Sequence, residues 1–283
     1  MKKSLHRGDS VISVDKSRSI ETQSTDQQAH VSAALDKAYG KSSILLVCEH
    51  ASNFIPKQFD RLGLSAEEQG SHIAWDPGAM AVARILSELL DAKLVHSRVS
   101  RLVYDCNRPP DAVGAMSLRS EDIEVPGNCN LTAQDKAARV GAFYNPFRDL
   151  VATTIANASS AVIIVTIHSF TPIYLGESRN VDIGILHDSD ARLADAMLAQ
   201  AAHYPGLRIL RNIPYGPEDG VTHTLKVHGI ENGLLNVMLE IRNDLIDNSA
   251  QQQAMAEILA SMLTIAVRTL DANPEVTGAK CRQ

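Results

Sequence analysis

The sequence predicts an α/β protein in which helices cover both faces of a mostly parallel sheet. Two apolar runs, Ile44 to Cys48 and Ala161 to Ile167, are short and bounded by polar residues, as strands buried on both faces are. Stretches of helical periodicity alternate with such runs, for example from Gly78 to Leu90 and from Ser249 to Leu270. This alternation predicts a three-layer α/β/α sandwich, whose ligands bind outside the carboxyl ends of the strands.

The remaining elements follow the same pattern along the chain. Short apolar runs predict further strands at residues 93–96, 102–104, 181–186, 207–210 and 236–241. Helical spacing predicts a helix over 132–158, interrupted near Asn145 and Pro146, and another over 189–202. Residues 106–131 are rich in Pro, Gly, Asp and Asn, so we expect a long loop of the kind that often carries function.

We predict one catalytic domain with a tail at each end. A chain of 283 residues with 45% hydrophobic content can bury one substantial core. The first part of the chain is rich in Ser, Gln, Asp and Lys, a composition that buries too little apolar surface to order itself. The prediction is a flexible extension at 1–42, a catalytic domain at 43–271 and a C-terminal tail at 272–283.

Charge, hydropathy and cysteine spacing exclude several classes of protein. The net charge is −6 and no long basic run occurs, which argues against nucleic acid as a partner. No apolar stretch approaches the roughly 20 residues that cross a bilayer, and no apolar signal segment follows the N-terminus. We therefore expect a cytoplasmic protein with no membrane partner. The 4 cysteines form no Cys-x-x-Cys pair, which fits neither a disulfide framework nor a thiolate zinc site.

Two histidines, His50 and His168, stand where predicted strands end. Imidazole is the commonest protein ligand of zinc, and a catalytic zinc takes three protein ligands and one water. A carboxylate should complete the set. We favour Asp76; the alternative, Glu49, would point away from His50 if the strand continued. A single strand-end histidine is more often a hydrogen-bonded structural residue, but two of them favour a site for one zinc ion.

Glu240 lies in the last predicted strand, whose other residues are mostly apolar. A buried carboxylate is costly unless it is paired or takes part in chemistry. Beside a metal-bound water it would act as a general base, accepting a proton and passing it to the leaving nitrogen. The alternative is an ion pair with Arg242, which strand alternation places on the same face.

Arginines cluster in two short motifs, Ser100 to Pro110 and Glu240 to Arg242. Guanidinium groups bind carboxylates with two hydrogen bonds, so arginines near a metal suggest an anionic substrate. Ion pairs at the surface are the alternative interpretation. The substrate-binding candidates are Arg101, Asn107, Arg108, Ser169 and Arg242. Ser169 does not lie in a Gly-x-Ser-x-Gly motif, so the sequence carries no serine-hydrolase signature.

An ordered series of motifs resembles the N-formylglutamate amidohydrolase family over about residues 43 to 265. The motifs are Cys48 to Asn53 with Ile55-Pro56, His72 to Ala79, Ser100 to Pro109, His168 to Pro172 and Glu240 to Leu245. Separated motifs in one order are more specific than any single motif. The family is similar to the zinc carboxypeptidases and to the succinylglutamate desuccinylase and aspartoacylase group. That similarity implies a zinc-exopeptidase-like (phosphorylase/hydrolase-like) fold.

The resemblance also implies roles for individual residues. In the related enzymes a His-x-x-Glu pair and a later His bind zinc, an Asn-Arg pair contacts substrate, and a glutamate near the end of the chain is the base. Asn53 stands here at the glutamate position of the first motif, so either Asn53 is a weak ligand or Asp76 supplies the charge. Residues 179–182 read Arg-Asn-Val-Asp where the nearest relatives should have Arg-Pro-Trp-His, which would alter the pocket.

The implied reaction is the hydrolysis of an N-acyl amino acid, such as N-formylglutamate, to the free amino acid and the acid. Glu240 would move the proton, while Arg108, with Arg101 or Arg242, would hold the carboxylates of a small acidic substrate. Two alternatives differ in class. One is a zinc-dependent deacylase or peptidase for another N-acyl amino acid or small peptide. The other is a metal-binding α/β protein without turnover, which should tolerate the loss of Glu240.

Overall fold

A seven-stranded mixed sheet runs through the middle of the computed structural model, which describes residues 32–272. Its strands are β1 (Ala33–Asp36), β2 (Ile44–Cys48), β3 (Lys93–Ser97), β4 (Ile163–Phe170), β5 (Ile183–Leu186), β6 (Ile209–Arg211) and β7 (Asn236–Arg242). Across the sheet they lie in the order β1-β3-β2-β4-β7-β5-β6. The four neighbours β3, β2, β4 and β7 are parallel, while β1 and β5 run antiparallel to β3 and β7. The predicted mostly parallel α/β sheet is confirmed.

Helices cover both faces of this sheet. They are α1 (Ala66–Gly70), α2 (Ala79–Leu90), α3 (Ala133–Arg139), α4 (Asn145–Ala156), α5 (Arg192–Leu198) and α6 (Ser249–Asp271). The apolar residues of α2, α5 and α6 pack in one core on one face of the sheet, and those of α4 pack in a second core on the other. Strands β2 and β4 are buried along their whole length, which explains their uninterrupted apolar sequence.

Shorter elements fill the connections. Two-stranded hairpins pair Arg119–Ser120 with Ile123–Glu124 and Ile173–Tyr174 with Glu177–Ser178. Helices of 3-10 type lie at Lys57–Gly63, Val113–Met116, Pro126–Asn128, Ala201–His203, Pro217–Asp219, Ile230–Asn232 and Asn243–Leu245. A π-helical segment lies at Leu225–Gly229. The long loop predicted at 106–131 therefore contains one of these hairpins and two short helices.

The interruption predicted near Pro146 is a π-helical segment, Val140–Tyr144, between α3 and α4. Proline has no N–H, and its ring clashes with the carbonyl four residues earlier in a regular α-helix. Widening the helix in the preceding turn accommodates the ring without ending the helix.

Helix α6 is the one described helix that is long and apolar enough to cross a membrane, with a mean hydropathy of 1.2. Its buried residues are Met255, Ala256, Leu259, Met262, Leu263, Ala266 and Leu270. These side chains belong to the core that α6 shares with α2 and α5. A core helix satisfies the same criteria of length and composition, and we assign α6 to the core.

Two predicted elements differ from the structure. Residues 102–104, predicted as a strand, form a buried turn, because Val103 and Tyr104 donate backbone hydrogen bonds to Ser100 rather than to a neighbouring strand. Their apolar side chains pack in the second core. In the sequence, this short apolar run has the same appearance as a buried strand. The helix predicted at 189–202 is limited to α5.

Strand β1 lies inside the segment predicted as a flexible extension. It pairs with β3 at the edge of the sheet, so the sheet starts before the predicted boundary at residue 43. Pairing with an existing edge orders a strand that its own composition would not. Residues 1–31 of the predicted extension and residues 273–283 of the predicted tail lie outside the described residues.

Substituting Gly184 with alanine should destabilise the fold. Gly184 lies in β5 opposite Glu240, and an added Cβ would overlap the carbonyl oxygen of Ile213. Because that oxygen belongs to the backbone, relief requires a shift of the chain, and we expect a loss of about 3 kcal/mol of unfolding free energy. Urea denaturation measures it. Gly206→Ala is the control, since nothing lies within 4 Å of its added Cβ. Equal midpoints for the two variants would contradict the prediction.

Candidate active site

Four polar side chains meet at the carboxyl ends of the central strands. His50 follows β2, His168 lies near the end of β4, and Glu240 lies opposite His168 in β7. Asp76 comes from the connection before α2, and its backbone N–H donates to the carbonyl of His50 at 3.0 Å. The parallel order β2-β4-β7 therefore brings residues far apart in sequence to one edge of the sheet.

His50, Asp76 and His168 form a compact buried cluster. Asp76 Oδ2 lies 3.2 Å from His50 Nδ1 and 2.9 Å from His168 Nδ1, and the two Nδ1 atoms are 3.2 Å apart. The backbone N–H of Ser169 also donates to Asp76 Oδ2, at 3.3 Å. One potential ligand atom of each side chain lies within 3.2 Å of the other two, and the cluster could hold a metal ion.

Two further carboxylates, Asp105 and Glu49, contact the Nε2 atoms of the two histidines. Asp105 Oδ1 lies 2.7 Å from His50 Nε2, and Glu49 Oε2 lies 3.1 Å from His168 Nε2. Each ring therefore turns Nδ1 toward the cluster and Nε2 toward its own carboxylate. Such partners fix the tautomer and orientation of a metal-binding imidazole.

The charges in this cluster shift the pKa values of its members strongly. Burial alone would raise the pKa of Asp76, but His50 and His168 outweigh it and hold that pKa well below its usual value. Burial likewise opposes ionisation of Asp105, and His50 and Arg101 lower its pKa overall. Burial lowers the pKa of His168, whereas Glu49 and Asp76 together raise it well above normal. Asp76 and Asp105 are therefore anions at neutral pH.

Glu240 differs from the other carboxylates. Its side chain is buried, and among the described residues Oε2 has no hydrogen-bond partner. Desolvation by burial raises the pKa of Glu240 to about 7, with Asp76 adding to the rise and the two histidines opposing it. A carboxylate with a pKa near the working pH is suited to accept and release a proton.

A cleft of about 380 Å³ opens above these residues. Its walls include the cluster itself, Glu240, the tip of the hairpin at 119–124, and Tyr215. Arg101 and Arg108 also line it. The Arg101 guanidinium binds Asp76 Oδ1 at 3.3 Å and Asp105 Oδ2 at 3.1 Å, so it links the inner and outer carboxylates. Arg108 donates to the carbonyl of Asp219 at 2.7 Å and keeps part of its side chain exposed to the cleft.

Two other substrate-binding candidates use their polar groups within the protein. Asn107 donates to the carbonyl of Val221 and accepts from the N–H of Thr224 at 3.0 Å. Its amide thus joins the segment after β3 to the segment before β7. The Ser169 hydroxyl donates to the carbonyl of Pro77 at 2.7 Å. Both residues line the cleft, but these bonds support its walls.

Arg242 and Asn53 are not brought into the site. Arg242 pairs with Asp182 at 2.8 Å and with Asp244 at 2.7 Å, and it does not line the cleft. Alternation placed it on the face of Glu240, but two nearby carboxylates hold its long side chain elsewhere. Asn53 uses its backbone carbonyl to accept from Gln69 and lies outside the cleft. Asp76 therefore supplies the carboxylate of the cluster.

Sequence reasoning gave no role to Asp105 and did not consider Tyr215. Asp105 was visible as a charged residue two positions before Asn107, in a motif already singled out. Tyr215 carried no such signal. The Arg179 guanidinium lies 4.7 Å from the centre of the Tyr215 ring and 4.4 Å from that of Tyr174, and both tyrosines line the cleft. Arg179 is the first residue of the segment that departs from the expected Arg-Pro-Trp-His.

Comparisons with known proteins agree with this architecture. The family model described as N-formylglutamate amidohydrolase matches residues 42–247. The solved structure of the gene product Atu2144 from Agrobacterium tumefaciens is similar over 87% of this chain and 98% of its own, with 52% identity and a TM-score of 0.84. N-formylglutamate amidohydrolase from Ralstonia eutropha JMP134 shares the fold over 86% and 99% of the two chains, with 17% identity and a TM-score of 0.63. No curated protein matches the chain.

Proposed function

The chain belongs to the N-formylglutamate amidohydrolase family, and we propose that it hydrolyses an N-formyl or other N-acyl amino acid at a zinc ion held by His50, Asp76 and His168. The convergence of two imidazole nitrogens and one carboxylate oxygen carries this proposal. Membership of the family and the likeness to solved structures support amide hydrolysis in general. The identity of the metal ion and that of the acyl group are what we propose here.

The spacing of the cluster supports a small, tetrahedrally bound ion. Ligand atoms about 2.0–2.1 Å from zinc lie roughly 3.3 Å apart in a tetrahedron. The three contacts among His50, Asp76 and His168 measure 2.9 to 3.2 Å. When each ring carries its proton on Nε2, both Nδ1 atoms and Asp76 Oδ2 can present lone pairs to one cation. The donor set therefore fits a zinc ion, which His50, Asp76 and His168 would hold.

Glu240 would do the proton transfer. A zinc ion in this cluster would lower the pKa of a bound water and polarise the acyl carbonyl. The carboxylate of Glu240 accepts the proton of the attacking water and delivers it to the leaving nitrogen. Its buried position keeps its pKa near 7, so one group can take the proton and give it back. Asp105 holds His50 in place, and Arg101 holds Asp76 and Asp105.

The charges of the cleft favour an anionic substrate. The Arg101 guanidinium already binds Asp76 and Asp105. Arg108 donates from one nitrogen to a backbone carbonyl, and its Nε lies 4.0 Å from Asp105 Oδ2. A guanidinium with donors to spare is suited to a carboxylate of the substrate. We propose Arg108 as the main carboxylate ligand and N-formylglutamate as a representative substrate.

Substituting Arg108 and Arg242 separately tests the assignment of the arginines. Arg108→Gln should raise KM for N-formylglutamate by about 10-fold or more, since a charge-assisted hydrogen bond contributes about 1.5–3 kcal/mol. Arg242→Gln should leave KM nearly unchanged, because Arg242 pairs with Asp182 and Asp244 away from the cleft. Steady-state kinetics measures both. A larger KM effect for Arg242→Gln would reverse the assignment.

Metal content and amine release together test the proposal. The purified protein is stripped with a chelator, reloaded with zinc, and assayed for primary amine released from N-formylglutamate and N-formylglutamine. We expect one zinc per chain, and release that stops on stripping and returns on reloading. Release that persists in the stripped protein would refute a metal-dependent mechanism. Bound zinc without release would retain the metal site but refute the N-formyl substrate.

A further inference from the structure

Glu49 is a buried carboxylate that the proposed reaction does not use. It directly follows β2, only 1% of its surface is exposed, and it does not line the cleft. Its Oε2 lies 3.1 Å from His168 Nε2. Among the described residues, neither oxygen of Glu49 nor Nε2 of His168 has a partner with full hydrogen-bond geometry, so the contact between them is a close approach of opposite charges. A buried anion of this kind costs several kcal/mol unless a partner compensates it.

The position of Glu49 excludes it as a third ligand of the same ion. Asp76 contacts Nδ1 of His168, and Glu49 contacts Nε2 on the opposite side of the ring. An ion bound at Nδ1 cannot also reach a carboxylate that lies behind Nε2. Glu49 was the alternative to Asp76 in the sequence, and the geometry gives the two residues different tasks.

We propose that Glu49 is a positioning residue, which holds the proton of His168 on Nε2 and so keeps the lone pair of Nδ1 directed at the metal. The inference rests on the proposed metal site. A neutral imidazole carries one proton, so an acceptor fixed at Nε2 leaves Nδ1 as the free donor of electrons. His50 is held in the same way by Asp105.

Neighbours of Glu49 extend this support to the wall of the cleft. Burial raises the pKa of Glu49, but His168 and, to a lesser degree, the side chain of Thr224 outweigh it and lower that pKa overall. The backbone N–H of Thr224 donates to Asn107, whose own N–H donates to Asp105 at 2.9 Å. Hydrogen bonds through Asn107 therefore connect Asp105, the partner of His50, with Thr224 in the segment before β7.

The test replaces Glu49 with glutamine and reads zinc affinity and the His168 ring directly. Competition with a chromophoric chelator should give a zinc Kd that is 10- to 100-fold weaker, the usual effect of losing a partner behind a metal ligand. Nitrogen-15 NMR of histidine-labelled, metal-free protein at alkaline pH, where His168 is neutral, should show a larger Nε2-protonated fraction in the wild type than in Glu49→Gln, because Asp76 competes for the proton at Nδ1 in both proteins. Glu121→Gln is the matched control, because Glu121 pairs with His72 at the rim of the cleft and not with the cluster.

Each outcome decides a separate question. An unchanged Kd together with an unchanged tautomer in Glu49→Gln would overturn the proposal. If the wild type binds no zinc, the metal site proposed above fails, and the NMR measurement on metal-free protein still decides the role of Glu49. If Glu49→Gln does not fold, Glu49→Asp is used instead. This variant keeps the negative charge but moves it away from His168 Nε2, because the side chain is one methylene shorter, and an intermediate zinc Kd is expected. A wild-type Kd for Glu49→Asp would contradict the geometry.

Discussion

Replacing Glu240 with glutamine is expected to lower kcat by about 10²- to 10⁴-fold, the usual contribution of a general acid or base. Glutamine keeps the size and one acceptor oxygen but cannot accept the proton of the attacking water. Glu240 lies opposite His168 in the sheet and is not one of the three residues of the metal cluster. Zinc content and KM should therefore stay near the wild-type values, so the loss appears in kcat.

The kinetic comparison needs a control for the removal of a charge near the cleft. Asp219 offers one, because it lines the cleft and uses its backbone carbonyl, not its side chain, to hold Arg108. Steady-state amine release by Glu240→Gln and Asp219→Asn, both loaded with zinc, separates the two effects. A kcat for Glu240→Gln within a few-fold of the wild type would remove Glu240 from the mechanism.

Replacing Asp76 with asparagine should abolish stabilisation by zinc. Asp76 Oδ2 contacts both histidines and the N–H of Ser169, so the variant loses the one charge shared by the whole cluster. For the wild type, zinc at 100 times its Kd adds about 2.7 kcal/mol to the unfolding free energy. At about 2–4 °C per kcal/mol, that raises Tm by roughly 5 to 11 °C. We expect almost no shift in Asp76→Asn.

Scanning calorimetry with and without a chelator measures this shift. The control is Asp182→Asn, which removes the ion pair of another carboxylate with Arg242 and leaves the cluster intact. This variant should keep the full zinc-dependent rise in Tm even if its baseline Tm falls. An equal zinc-dependent rise in Asp76→Asn would show that the ion binds elsewhere.

The order of strands and helices was accessible from the sequence because central parallel strands are buried on both faces. Ile44–Cys48 was predicted without error, and the strand at His168 was found from the same kind of apolar run. Prediction of strands from apolar runs was wrong at residues 102–104, where a turn buries the apolar side chains. It also missed β1, whose order comes from pairing with β3.

The candidate site divides in a similar way. His50 and His168 could be found because polar residues that follow buried strands stand at the edge where an α/β sheet binds ligands. Glu240 could be found because a carboxylate in an apolar strand calls for a partner. Asp76 was favoured over Glu49 and Asn53, and the structure brings Asp76 into the cluster.

The sequence by itself determined the α/β class, the family, and the chemical types that gather at the site, because burial and strand ends leave a local pattern. Only the tertiary structure decided what each charged side chain faces. In the structure, Arg242 pairs with Asp182, and Asn107 hydrogen-bonds to Val221 and Thr224. Glu49 contacts Nε2 of His168 rather than the metal cluster. The physical reason is that the partner of a long polar side chain depends on distances of a few ångströms between segments far apart in sequence. No local periodicity encodes those distances.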